Sequence, residues 1–537
     1  MRRQTLPSPP ALSRRTFLAL SGLGLTSLLA ACSGVAASPS PTPTSSKASP
    51  TVLPTRPAVP TEADWSALAG NLQGSLVRPQ NSGYAVAHQL FNTRFDHILP
   101  QGVAYCATPA DVQTCLTFVR RFNLPVTARS GGHSYAGYST TTGLLLDVSR
   151  LNRVSVNASA GTATIGGGAH LIDVYAALAQ DGLVIPAGSC PTVGIAGLTL
   201  GGGVGVLGRK FGLTCDNLLS AQLVLASGDL ITCDQQTHPD LFWALRGGGG
   251  GNFGVVTSFT FQVHPVSELT LFTLNWPWSR ASDVVDAWQH WGPQAPDELW
   301  SNCLLLGTAS KPSAPLVRVN GVYVGGAAAL DPLLQQLISH VGSAPSSSYV
   351  YTDPLLETMM VEAGCYGESV AACHLPSQNP QGHVGRDTSQ ARSDYVGAPL
   401  PHQAIEILVN AIGSRQSSSV LSGGGIGMDA YGGAINRVAA DATAFVHRDA
   451  LFSIQYTASW NTTDPASTVS ANLSWLSNTW QAMRSYVNGE AYQNYIDPDL
   501  ANWPQAYYGV NLARLQQVKA TYDPANLFRF AQSIPGA

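Results

Sequence analysis

Three stretches of the chain are dense in glycine: RSGGHS at 129–134, GSCPTVGIAGLTLGGGVGVLG at 188–208 and RGGGGGNFG at 246–254. Glycine accepts positive φ and lets backbone approach a ligand with no Cβ in the way, and successive N–H groups then form an anion-binding concavity. Three such stretches in one chain point to a nucleotide cofactor. Gly203, Gly205 and Gly208 spell GxGxxG, but a dinucleotide fold needs a strand before that motif, a helix after it and an acidic residue about 20 positions on. Here the preceding run is the glycine-broken GIAGLTLGG and no second βαβ unit follows, so the Rossmann reading is set aside.

A chain of 537 residues exceeds what one hydrophobic core serves, and at least two packed units are expected. TPADVQTCLTFVRRFN reads as a helix with Val112, Cys115, Leu116 and Val119 on one face, LPVTAR and GLLLDVSRL as strands, and VSVNASAGTATIGGG and LVLASGDLITC as hairpins. HLIDVYAALAQDG reads as a helix closed by Gly182, HPDLFWALR as another, and FGVVTSFTFQVHP as a long strand. These elements predict an α+β unit over 84–265. From 266 to 475, strands such as LTLFTLNW, APLVRVNGVYVGG and ALFSIQYTASW alternate with helices such as DPLLQQLISHV, as expected of a helix-covered antiparallel sheet in a separate substrate domain. Residues 476–537 form a tail whose YYGVNLARLQQVKATYDPANLFRF reads as a helix stopped before Pro524. Charged residues make up 11% of the chain against roughly 25% in ordinary soluble domains, and lysine occurs only at 47, 210, 311 and 519. No basic field exists to hold nucleic acid.

The amino terminus carries an address. Arg14 and Arg15 precede an apolar run from Phe17 to Ala31 that ends at Cys32. The run is shorter than the ~20 residues a membrane span needs, so residues 1–32 read as an export signal. The twin arginines resemble a Tat signal and LAAC a lipobox, which makes Cys32 a candidate lipid anchor; a Sec-type signal with a chance cysteine is the alternative. Residues 33–60, rich in Ser, Pro and Thr, cannot bury enough surface to order themselves and read as a tether. The expected location is extracytoplasmic.

Nine cysteines occur, with no CxxC and no HExxH, so no metal site is expected. Cys365 and Cys373 are close enough in sequence for a local bridge, although connectivity is not readable from spacing. Nothing sets the oligomeric state; a monomer is compatible with the sequence.

PVTARSGGHSYAGYS, GSCPTVGIAGLTLGGGVGVLGRKFGLTCDN, DLFWALRGGGGGNFGVVTSFTF and the terminal YYGVNLARLQQVKATYDPANLFRFAQSIP, in this order, resemble the berberine-bridge-enzyme-like branch of the vanillyl-alcohol-oxidase flavoproteins. The resemblance implies a PCMH-type FAD-binding fold. It further implies FAD attached covalently by His133 and by Cys190. Arg129, Ser130, Gly131, Gly132 and Ser134 match positions near the diphosphate. Thr192, Val193, Gly194, Gly197, Gly202 and Gly203 match the isoalloxazine and phosphates, and Asn252, Gly254 and Val256 the adenine end.

Oxidation of an alcohol at a flavin needs a hydride acceptor and a base for the hydroxyl proton. The tyrosine after asparagine in AYQNYIDPDL, Tyr495, matches the family's base; Tyr431 is a candidate substrate contact, and Arg437 stands where some plant members carry Glu or Gln. A phenol of pKa ~10 is a poor base unless a cation or donor steadies its anion. Val193 matches a position where valine leaves O2 room at the flavin, and Val204 replaces a tyrosine of several relatives. The expectation is therefore an oxidase of a hydroxyl-bearing small molecule, a sugar, oligosaccharide or secondary metabolite, that forms H2O2. The alternatives are a flavin dehydrogenase or oxidative cyclase, and a non-catalytic surface lipoprotein.

Overall fold

The helix Pro109–Phe122 shows how local chemistry starts this fold. Thr108 and Asp111 form a reciprocal capping box, with Pro109 at the first turn, where its missing N–H costs nothing. The Asp111 carboxylate also accepts from the backbone N–H groups of Gln73 (2.8 Å), Gly74 (3.1 Å) and Ala107 (2.8 Å), binding the preceding segment to the helix. Hydrogen bonds to a charged group contribute roughly 1.5–3 kcal/mol each, so this one buried side chain organises the whole corner. Val112, Cys115, Leu116 and Val119 are buried, as their spacing predicts. The helix ends at Asn123 in the left-handed conformation (φ 48°).

The computed structural model describes residues 59–307, 314–418, 420 and 423–536. The export signal, Cys32 and nearly all of the tether lie outside them. Among the described residues no helix is long and apolar enough to cross a membrane.

The first unit holds two sheets. In the smaller, the strands lie in the order Ser75–Val77, Gly102–Tyr105, Leu144–Asp147, Val126–Arg129, the last three parallel. Leu144–Asp147 is central and buried along its whole length, which is why its sequence is a continuous apolar run and does not alternate. The second sheet is antiparallel, in the order Val154–Asn157, Thr162–Gly166, Val255–Gln262, Leu218–Val224, Leu230–Asp234. The fold is α+β, as expected.

The second unit is built on a seven-stranded antiparallel sheet, in the order Ser347–Asp353, Leu269–Trp276, Leu316–Val324, Leu299–Leu306, Gly424–Ala430, Phe452–Ser459, Ser389–Val396. Strand alternation divides its residues between two faces. Ile426, Met428, Ile454 and Tyr456 pack beneath helices Ala281–Trp291, His402–Ser417 and Ala466–Met483. Ser393, Asp429 and Gln455 have the opposite parity and turn toward the first unit and the terminal segment. Cys365 and Cys373 are joined as a disulfide.

Two expectations about elements change. The helix containing DPLLQQLISHV begins earlier, spanning Ala327–Val341 with Pro332 inside it. The terminal helix is two helices, Trp503–Tyr508 and Leu512–Tyr522, because Gly509 at φ 46° breaks the path between them.

Candidate active site

The parallel strands Val126–Arg129 and Leu144–Asp147 end side by side, and there the Arg129 Nε atom meets Asp147 Oδ2 at 2.6 Å. Its other nitrogens donate to the carbonyls of Gln89 (3.1 Å) and Ala87 (2.7 Å). This guanidinium is buried, and all three of its nitrogens have protein partners, which hold the start of the loop in place. The loop then crosses the Cys190–Gly194 turn at minimal distance. A Cβ on Gly131 would sit 2.2 Å from the Gly194 backbone nitrogen, and one on Gly194 would sit 2.0 Å from Ser130 Oγ. Ser130 donates to the Gly167 carbonyl at 2.7 Å, and Ser134 Oγ accepts from Tyr138 N at 3.0 Å.

The crossing sets His133 against the second loop, with Nε2 2.8 Å from Thr192 Oγ1 and its ring stacked on Phe91 at 4.0 Å. Gly132, at φ 74°, makes the turn that presents it. Cys190 is half-buried and takes part in no disulfide. Its loop is pinned from behind by Leu171 N donating to Val193 O (3.0 Å) and Ile172 N to Pro191 O (3.1 Å). An imidazole and a thiol from segments almost sixty residues apart are thereby carried on two interlocked turns.

The third glycine stretch packs directly on the second, with Gly247 N and Gly249 N both donating to the Leu200 carbonyl (3.1 and 2.8 Å). A Cβ on Gly197 would meet nothing within 4 Å, and one on Gly250 would meet only the Gly197 Cα at 3.8 Å. Phe445 fills the angle beside Gly202 and Gly247, and Gly203 packs against Thr214. Asn252 is turned inward: its Nδ2 reaches the carbonyls of Gly248 (3.2 Å) and Gly249 (3.3 Å), and its Oδ1 accepts from Ile534 N (2.9 Å). Gly254 sits against the Val224 carbonyl and Val256 lies in the core. These three, expected at an adenine end, hold the glycine loop and its strand in place.

Between the loops and the large sheet stands a cluster of tyrosines. The Tyr492 hydroxyl accepts from Gly203 N (3.1 Å), Val204 N (3.2 Å) and Asn494 Nδ2 (3.0 Å). Burial pushes this phenol up to about 12, against the pull of those three donors. Tyr495 packs edge-on to Tyr492 (4.9 Å) and stacks on Tyr135 (5.5 Å), whose hydroxyl accepts from Gln455 Nε2 at 3.1 Å. Burial, then the negative charge of Asp429 and the neighbouring tyrosines, holds the Tyr495 phenol well above its ordinary value. Tyr431 belongs to the cluster and is fully buried, with its hydroxyl 3.0 Å from that of Tyr395. Arg437 is exposed and paired with Asp297 at 2.6 Å. The buried cation packed beside Tyr431 is Arg448, bidentate to Asp216 at 2.8 and 2.7 Å. Asp429 and Arg448 carry no motif of their own that would single them out in the sequence.

A family model described as FAD binding domain matches residues 100–234, and one described as Berberine and berberine like matches 491–535. The FAD-linked oxidoreductase YgaK of Bacillus subtilis (strain 168) is 35% identical over 471 residues, 86% of this chain and 97% of that protein. The chain belongs to the berberine-bridge-enzyme-like FAD-linked oxidoreductases. Among solved structures, Physcomitrella patens BBE-like 1 is 33% identical with a TM-score of 0.79, over 88% of this chain and 98% of that one. Phl p 4, a grass pollen allergen with glucose dehydrogenase activity, is 29% identical with a TM-score of 0.78, over 88% and 99%. An isoleucine-to-valine variant of Phl p 4, described as a glucose oxidase, aligns at 29% identity and a TM-score of 0.76, over 86% and 96%. The two matched regions are those the geometry joins, the glycine loops and the tyrosine segment. FAD fits this flavoprotein's site: Gly197, on the helix Ile195–Leu200 that leaves the Cys190 turn, faces open space that a side chain there would enter.

Glycines that pack and glycines that line are separable by substitution. Gly131→Ala forces a Cβ onto backbone and is expected to abolish soluble, folded protein, whereas Gly197→Ala points into open space and should leave expression yield and circular dichroism unchanged. Equal yields of the two variants would contradict the close crossing of the loops.

Proposed function

We propose that this flavoprotein is an exported oxidase whose FAD is held covalently by His133 and Cys190 and which oxidises a hydroxyl-bearing small molecule, a sugar, oligosaccharide or secondary metabolite, with O2 as acceptor and H2O2 as product. The observation that carries this reading is the interlock of the two turns, which brings the imidazole of His133 and the turn that bears the Cys190 thiol to one place. FAD, when bound, supplies a hydride acceptor for the carbinol carbon. The chain's own part is proton management. Tyr495 is half-buried, and its hydroxyl makes no hydrogen bond to the described residues, which leaves it open to a substrate hydroxyl. A phenol so strongly held neutral cannot wait as an anion, so Tyr495 acts by giving up its proton as it takes one, and Asp429, whose charge bears on it, is the group positioned to receive it.

Val193 supports the oxidase reading over the dehydrogenase one, since a single isoleucine-to-valine replacement distinguishes the glucose oxidase variant of Phl p 4 from its parent. Phl p 4 likewise supports a sugar as substrate. Arg14, Arg15, the apolar run and Cys32 support export with a lipid at Cys32. In that case the parent sediments with membranes and Cys32→Ala is released; equal release of both would remove the anchor. The chemistry is read with a carbohydrate panel: turnover should yield peroxide stoichiometric with O2, and flavin reduction without peroxide would establish a dehydrogenase. Tyr495→Phe is expected to keep its flavin absorbance while anaerobic reduction slows at least ~100-fold, and an unaltered rate would remove Tyr495 from the reaction.

A further inference from the structure

Behind the Cys190 turn lies a second group of side chains that the flavin chemistry does not use. His170 precedes the helix Leu171–Ala179, Asp173 stands in its first turn, and His374 arrives from the segment closed by the Cys365–Cys373 disulfide. His374 Nε2 is 3.0 Å and His170 Nδ1 is 3.9 Å from the same oxygen, Asp173 Oδ2, and the three donor atoms all lie within 4.8 Å of one another. Ligands of one four-coordinate zinc ion, bound at ~2.0–2.1 Å, stand roughly 3.3 Å apart, so modest ring shifts close this triangle on an ion. Both histidines are buried, while the Asp173 side chain keeps 38% of its surface and leaves an open edge.

The outer contacts suit ligation. His374 Nδ1 lies 2.9 Å from the Val370 carbonyl, which places the proton on Nδ1 and turns the Nε2 lone pair toward Asp173. The far nitrogen of His170 lies 3.2 Å from the Gln378 amide nitrogen, whose oxygen accepts from Leu375 N at 3.2 Å, so the Gln378 side chain holds the imidazole ring in its orientation. Both supporting groups come from the segment that brings His374. On the other side, the residues following His170 donate to the carbonyls of Val193 and Pro191, so the cluster backs directly onto the loop carrying Cys190.

We propose that His170 Nδ1, Asp173 Oδ2 and His374 Nε2 form a zinc site, with water as the fourth ligand at the open edge, that clamps the disulfide-closed segment onto the helix behind the Cys190 turn. No spacing rule finds it, because one ligand lies two hundred residues from the other two. The site is independent of the proposed oxidase chemistry.

The test uses the flavin-loaded full-length protein, stripped with a chelator and titrated with Zn2+. The parent should take up about one zinc per chain, and saturation should raise its melting temperature by at least ~2 °C. Asp173→Asn and His374→Gln, which keep side-chain size, should each weaken that uptake at least ~100-fold and lose the zinc-dependent rise, while a metal-free hydrogen-bonded role would change only the baseline melting temperature. Stripped parent that binds no stoichiometric zinc, or variants that bind it as the parent does, overturn the proposal. Should a variant fail to fold, the parent's zinc-dependent melting still decides. Flavin absorbance on the same samples is a separate readout: its absence would count against the oxidase reading and leave the zinc result standing.

Discussion

Where residues 131 and 194 cross, nothing larger than hydrogen fits between the two backbones. That contact is the constraint on which the rest of the site depends. The parallel strands end at the Arg129–Asp147 pair and aim one loop; the helix starting at Leu171 holds the other from behind. Only at glycine do the loops come close enough for His133 to reach Thr192 beside Cys190. Much of the surrounding polar chemistry, including Asn252 inside its glycine loop and Ser130 on Gly167, is devoted to holding these turns still. A covalently clamped ring needs such rigidity, since two attachment points on independently moving loops would strain the ring or miss it.

The second unit contributes a face. Because a strand alternates, the large sheet packs Ile426, Met428 and Ile454 under helices while presenting Asp429, Ser393 and Gln455 to the tyrosines. Ser393 receives Tyr492 N at 2.9 Å, so the sheet also sets the backbone of the tyrosine segment. The result is a buried cluster in which phenols stay protonated, with the charge of Asp429 bearing on Tyr495 from the sheet. Such an environment favours transfer of a proton along neighbours over storage of an anion.

Much of the fold was legible from residues that act locally. Thr108, Pro109 and Asp111 announce their helix, Leu144–Asp147 reads as a buried strand, and the glycine stretches mark the turns. What the sequence leaves open at the site has one cause: residue type reveals charge, but not direction. Arg129, Asn252 and Arg437 have the chemistry of ligand contacts, and in the structure one pairs with Asp147, one bonds to its own loop and one pairs with Asp297 at the surface. Tyr431 is fully buried in the cluster. Asp429 and the His170–Asp173–His374 group were invisible for the opposite reason. Their significance is created by strand parity and by a meeting of distant segments, neither of which leaves a local pattern.

The central claim is the double tether, and acid denaturation tests it most directly. Precipitated, washed polypeptide should remain yellow, and its proteolytic digest should contain one FAD mass linking the peptide of His133 to the peptide of Cys190. A colourless pellet with all the FAD in the supernatant would contradict it.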